Sequence, residues 1–542
     1  MMNQRDSPHS FRSRCLQVSL STGLAVASLG VNFLLAQPVE AQVISTREKA
    51  VPKLADDDAC QKAGPKGCLA LALDAMGGPR IEGVKSMTYE TVGHTLLVEQ
   101  SYRQDPFIAS YERAKGNLDL AGNRIRVEST LTWPESDPGQ SESRSTLVAD
   151  ADGCVQRSPA AANGKSAPDS PCALSQMDWV RETLDLGPLR LLATAQRASD
   201  LHFESPSKLR STLHSVVAFT WQGTQARILI NSFNHLPDAV ETVSQFHDHW
   251  YQWGDVRRRI YLDNWVTVQG IRYPTNQIEE RNGIDWKSTQ FLELKFNVAE
   301  TPALFEMDAK VAGLGGKSKG WERAFDPKHS TELAPGITFF AGAWNATVVK
   351  QEDGVVILEA PISGTYSAGV IAEAKQRYPN VELKAVMSTS DSWPHVGGVR
   401  QAVASKVPVY ILDLNQPLLD RMIAAKHDLH PDLLAQTPQR PVWRIVSQKT
   451  IVGTGPNRAE LYPLRGASTE RQYMVFFPEQ HLLYASDTLA LNDDGSLYDP
   501  ELMREVVEAV QREGLNVNTV FAMHQAPTPW SNVVALVQKA QS

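Results

Sequence analysis

Between residues 85 and 310 the apolar and polar positions fall into short alternating runs: MTYETV, HTLLVEQSYR, FIASYERA and RIRVESTLTW, then RILINSF, RRRIYLDNWVTV and STQFLELKFNV. Many of these positions are β-branched or aromatic, and a period of two is what a half-buried strand requires. Turn signals such as Ala121-Gly122-Asn123 separate some of the runs. The clearest helical interruption is Met177 to Ala198, broken at Gly187-Pro188. The pattern predicts an antiparallel sheet with a few covering helices.

Residues 311–334 read as a linker, with AGLGGKSKG followed by Pro327 and Pro335. Gly316-Lys317-Ser318-Lys319-Gly320 has the spacing of a serine nucleophile elbow but lacks the hydrophobic strand before it and the helix after it. A phosphate-binding loop would need glycine where Val311 stands. From Pro335 onward the rhythm changes. Gly336-Ile337-Thr338-Phe339-Phe340, NATVVKQEDGVVILEAP, a helix around Ser367 to Tyr378, VELKAVMS and RQYMVFFPEQHLLYASDTL follow one another with short loops. Two β-sheets flanked by helices accommodate that order. The predicted fold class is α+β and multi-domain, with an antiparallel β-rich region at 42–310 and a second domain at 335–542.

The chain has 542 residues and a formal net charge of −8, with no basic block, which argues against nucleic acid or an anionic membrane surface as partner. A small or apolar ligand suits it better. Arg5, Arg12 and Arg14 precede the apolar stretch Gly23 to Ala36, and Val39-Glu40-Ala41 places small residues before Gln42. Residues 1–41 therefore read as a secretory signal peptide, giving a periplasmic or secreted protein with no transmembrane segment after cleavage. Cys15 leaves with the signal. Cys60, Cys68, Cys154 and Cys172 remain, an even number in an oxidising compartment. Three connectivities are open, and the close pairs Cys60 with Cys68 and Cys154 with Cys172 would each staple a Gly/Pro-containing loop.

The β-rich region resembles, in pattern alone, the curved half-barrel of periplasmic lipoprotein-carrier domains, which hold acyl chains on a concave face. A structural or docking role is the competing expectation. Residues 335–542 carry a more specific resemblance, in DGVVILEAP before a helix, TSDSWPHVGG, MVFFPEQHLLYASDTL and VFAMHQAPTPWSNVVALVQKA. In order and spacing these are similar to a metallo-β-lactamase domain, which implies an αββα sandwich. The family's chemistry implies two zinc ions clamping a hydroxide, three histidines on the first ion, an aspartate and two histidines on the second, and a bridging carboxylate.

Most of those ligands are replaced. The first two histidine positions are Ser390 and Ser392, the aspartate position is Pro394, and the later histidine position is Ser468. His395, Asp487 and His524 match, so the resemblance implies at most one zinc ion, held by those three residues. Two histidines and one carboxylate with open positions are still a catalytic ligand set. The competing reading makes them ordinary hydrogen-bonded residues. Elsewhere, His247 and His249 in QFHDHWYQW would share one face of a strand, His427 and His430 in KHDLHPD could share a helical face, and Ser205 with Lys208 spells a short S-x-x-K. The first pair belongs to the preceding domain and reads as a solvated strand edge, Pro431 places the second at a helix end or turn, and the S-x-x-K lacks its companions.

Three functions remain open at this point: a non-catalytic binding or scaffolding protein with a dismantled dinuclear site, a mononuclear metal-dependent hydrolase of an ester, amide or lactam, and a carrier of a hydrophobic ligand through the β-rich domain. No catalytic residue is assigned, and the expected cofactor is none, or at most that single zinc.

Overall fold

The computed structural model describes residues 53–55, 57–98, 107–132, 142–159, 168–299, 301–317, 322–342, 344–492 and 494–541. The expected signal peptide lies outside the described residues. From Val51 to Ser542 the chain forms one compact unit. Among the described residues no helix is long and apolar enough to cross a membrane.

The alternating runs build one sheet of thirteen strands. Its first half is a meander that runs inward from Ser170–Pro171 and Cys154–Arg157 at one edge to Ala109–Asp119 and Ser86–Leu96. Its second half meanders from His202–Leu209 at the other edge to Ile284–Phe296. The two halves join because the first and last strands pair antiparallel, Met87 opposite Phe296 and Thr95 opposite Lys287. The helices Leu174–Leu186 and Leu191–Gln196 connect the two edges, breaking at the expected Gly187-Pro188. Alternation decides which side chains meet them. Val217, Phe219, Ile228 and Val240 join the helical residues Leu69, Met76, Val180 and Leu191 in one core, while their neighbours Val216, Leu229 and Ala239 cluster on the opposite face.

The helix Ala59–Met76, absent from the sequence reading, supplies part of that cover. It folds back at Gly64 (φ 72°), immediately before Pro65. Eight residues of straight helix span about 12 Å; the fold-back brings Cys60 and Cys68 to a Cα separation of 4.3 Å, where they form a disulfide. The staple thus closes a kinked helix rather than the expected loop. Cys154 and Cys172 form the second disulfide, at the sheet edge. Replacing Cys154 and Cys172 together by serine is expected to lower stability by about 2–3 kcal/mol, read from urea unfolding; no change would show that the bridge constrains nothing.

The segment expected as a linker is partly built into the fold. The short helix Ala309–Ala312 packs with Phe305 against Val148 and Val155. Ser330–Ala334 is a strand paired with Ile337–Phe340. It is the edge of a seven-stranded sheet, which a six-stranded sheet follows. Period-two burial again assigns the layers. Val355, Ile357 and Val386 face the helices Gly364–Arg377 and Val399–Ala404. Val356, Leu358, Ala385 and Met387 face Tyr473, Val475, Tyr484 and Phe521 of the six-stranded sheet. Met474, Phe476 and Leu483 face Met503, Val506 and Val533 of the last two long helices. Helix, sheet, sheet and helix therefore stack as four layers.

Candidate functional site

The site lies where parallel strand pairs of both sheets end. In the seven-stranded sheet, Gly354–Leu358 runs parallel to Leu383–Met387, with Leu358 opposite Met387. Their next residues are Glu359, in a left-handed backbone (φ 67°), and the loop Ser388 to Ser392. In the six-stranded sheet, Leu482–Tyr484 runs parallel to Thr519–Phe521, and the chain beyond them brings Asp487 and His524. Thr389 ties the two ends together. Its hydroxyl bonds Glu359 Oε1 and lies 2.7 Å from the Ser486 hydroxyl, and its carbonyl accepts from the Tyr473 N–H at 3.0 Å.

His395 sits in the one-turn helix Trp393–Val396 and is fully buried. Its Nδ1 is 3.0 Å from Glu359 Oε1 and its Nε2 is 3.6 Å from Asp487 Oδ1, the second being an ion-pair rather than a hydrogen-bond separation. His524 Nε2 approaches the same Asp487 oxygen to 3.1 Å from the solvent side. His395, Asp487 and His524, which stand 92 and 37 residues apart in sequence, are thus brought together.

The electrostatics follow from this packing. Burial alone would push the His395 imidazole down, but Glu359 and Asp487 outweigh it and raise its pKa to about 10. Burial would raise the Asp487 carboxyl, yet His395 and His524 hold it well below the usual carboxylate range. Both directions favour the protonated imidazole beside Glu359 and Asp487. Glu359 played no part in the sequence reading, although DGVVILEAP contains it; its role depends on a left-handed backbone that turns its side chain towards the loop.

The remaining positions fall differently. The Ser390 hydroxyl accepts from the Ser392 N–H at 3.2 Å, and the Ser392 hydroxyl is buried without a hydrogen-bond partner among the described residues. Pro394 occupies the first turn of the short helix. Ser468 is drawn to another carboxylate: its N–H donates to Glu505 Oε1 at 3.0 Å. Among the described residues no group of three or more His, Cys, Asp or Glu side chains is arranged to hold a metal ion.

The other histidines lie elsewhere. His247 and His249 do not share a strand. Asp248 caps the 3₁₀ turn His249–Trp253, accepting from the Trp250 N–H, and Gly254 ends it at φ 63°. His247 Nδ1 meets Asp178 at 2.6 Å. His427 and His430 occupy a bent loop rather than a helix. His427 is buried near Arg400, which bonds Asp432 at 2.6 Å and 3.0 Å.

His249 has a different role. Its ring stacks on Trp393 with centroids 4.7 Å apart and planes 11° from parallel. The turn that carries it belongs to the thirteen-stranded part, and Tyr251 and Trp253 pack on the core of the seven-stranded sheet. A Cβ on Gly397 would come 2.1 Å from the Tyr251 hydroxyl, and one on Gly254 would come 2.0 Å from the Lys426 carbonyl. Only glycine allows the two parts to close this far. The loop Ser388 to Val396 is buried throughout, beneath this turn on one side.

No family model and no curated protein matches the chain. Among solved structures, about two-fifths of the chain matches metallo-β-lactamase-fold proteins and an alkylsulfatase. The sec-alkylsulfatase Pisa1 from Pseudomonas sp. aligns at 14% identity over 39% of this chain, with a TM-score of 0.29. A metallo-β-lactamase from Erythrobacter litoralis aligns at 15% over 39% of this chain and 95% of its own, with a TM-score of 0.30. The DIM-1 metallo-β-lactamase gives 15%, 39% and 97%, also at 0.30. The match spans 40% of the alkylsulfatase's length.

Proposed function

We propose that residues 335–542 are a metallo-β-lactamase-like sandwich that no longer performs metal-dependent hydrolysis, and that the protein is an exported, non-catalytic binding or scaffolding protein. The observation that carries this reading is His395, a buried imidazole with a carboxylate at each ring nitrogen. A metal-ligating imidazole must present a neutral nitrogen. The two carboxylates favour the protonated ring, and an imidazolium there would supply the positive charge that an ion would bring to Glu359 and Asp487. The donor set does not fit a resident ion, since the serine hydroxyls at 390 and 392 are poor zinc ligands and His524 with Asp487 alone makes a weak site.

Two further features support the reading. The loop that would carry the ligands is covered by the turn His249–Trp253, so its present work is to dock one part of the chain on the other. The two disulfides suit an oxidising compartment, in keeping with a periplasmic or secreted protein.

Elemental analysis of the purified protein, combined with melting in the presence and absence of a chelator, tests the reading. Far less than one zinc per chain and an unshifted melting temperature are expected. One equivalent of zinc that survives dialysis and is lost in His524→Ala would overturn it in favour of the mononuclear hydrolase.

A further inference from the structure

A cleft of about 320 Å³ opens in the β-rich part, away from the site above, between the end of helix Ala59–Met76, the residues following it, the segment 188–197 and the turn after strand Ala109–Asp119. Its floor is apolar, made by Leu73, Met76, Ile81, Val84, Leu120 and Leu192. Its edge carries Lys85, Arg190 and Arg197, with Glu82 as the opposing charge.

Those cations are not spent in ion pairs. Among the described residues, none of the three is in an ion pair within 4.0 Å, and Asp119, at the end of the adjoining strand, is already bound to Arg124. Arg190 is held in place by neutral acceptors: its Nη1 donates to Asn123 Oδ1 at 2.7 Å and its Nη2 to the Leu120 carbonyl. Half-burial and the neighbouring Arg197 act against its positive charge and outweigh the more distant Asp185 and Asp119, which favour it. Lys85 and Arg197 are exposed at the rim. In a chain of net charge −8, three cations against one lining carboxylate, Glu82, gather around an apolar floor, and one of them is positioned in advance.

The geometry points to a binding site for a single-chain amphipathic anion, with its alkyl chain on the floor and its anionic head at Arg190, Lys85 and Arg197. The volume lies at the lower end of small-molecule sites, about 300–1,000 Å³, which admits one chain rather than a two-chain lipid. Apolar contact supplies affinity in proportion to buried area, and the cationic rim sets the head group and its orientation.

Dodecanoate, titrated below its micellar concentration into the full-length mature protein and followed by calorimetry, tests the assignment. One dodecanoate per chain is expected, with dodecanol and dodecyltrimethylammonium binding at least tenfold more weakly. Dodecyl phosphate in the same titration shows whether the rim takes a phosphate head as it takes a carboxylate; binding within tenfold of dodecanoate is expected. The paired change Lys85→Gln with Arg197→Gln, at exposed positions, should leave the melting temperature unchanged and weaken dodecanoate binding about tenfold. Leu192→Trp, which fills the floor, should abolish it. Absence of dodecanoate binding to the unmodified protein, equal binding of the neutral and cationic probes, dodecyl phosphate binding more than tenfold weaker than dodecanoate, or unchanged affinity in the Lys85/Arg197 variant would each overturn the proposal.

Discussion

Arg281→Ala is expected to cost about 3–5 kcal/mol of stability, because it removes one member of a buried ionic network and leaves its partners uncompensated. Arg281 is nearly inaccessible; its Nε lies 2.7 Å from Glu279 and its Nη1 2.8 Å from Asp248. Its guanidinium also sits 3.4 Å from the centre of the Trp286 ring and 3.9 Å from that of Phe246. Asp248 caps the turn that carries His249 to Trp393, so the loss propagates from the large sheet to the docking contact. Arg281→Lys keeps the charge without the planar fork and should recover only part of the loss. Burial would raise the Glu279 carboxyl, but Arg258 and Arg281 bring its pKa to about 2. A carboxyl depressed in the folded state contributes stability that is present above its ordinary 4.5 and lost as pH falls towards 2. Urea unfolding at pH 7 and pH 3 measures both effects: the gap between Arg281→Ala and the unmodified protein should narrow at the lower pH. A loss under 1 kcal/mol at pH 7 would show that the network does not hold the turn.

The sequence disclosed the layers more fully than the site. In the four-layer region, Val355, Val356, Ile357 and Leu358 alternate strictly between two cores, so residue type and period two agree. Helix Ala59–Met76 escaped because Gly64-Pro65 interrupts its period and the paired cysteines suggested a loop. His247 and His249 misled for the opposite reason: FHDHWYQW alternates like a strand, but Asp248 caps a 3₁₀ turn and Gly254 reverses the chain. At the site, motif order was sufficient to bring His395, Asp487 and His524 together, since they follow strand ends that the hydrophobic pattern fixes. It could not assign Glu359, whose approach to His395 depends on a positive φ at a non-glycine residue, nor the stacking of His249 on Trp393, which joins parts of the chain about 140 residues apart.

His395→Ala is expected to be as damaging as the loss of Arg281, about 3–5 kcal/mol at neutral pH, since Glu359 and Asp487 would then share a buried site without the imidazolium between them. The pH dependence distinguishes this network from a metal site. The His395 pKa is raised from 6.5 to about 10 in the folded chain, so its contribution is complete below pH 6.5 and is lost as pH rises through 10. The Asp487 carboxyl is shifted the other way; its contribution is present above its ordinary 3.8 and declines only as pH falls below that value. The network is therefore strongest between roughly pH 4 and 6.5. Unfolding free energies of the unmodified protein and His395→Ala, taken in chelator from pH 5 to pH 10.5, should differ most at the acidic end and converge as pH approaches 10. A metal held by neutral His395 reverses that expectation, because protonation would compete with the ion and stability would rise from pH 5 to pH 8 in added zinc. Parallel curves, or a gap that widens with alkalinity, would mean that the proton on His395 does not hold the two sheet ends together.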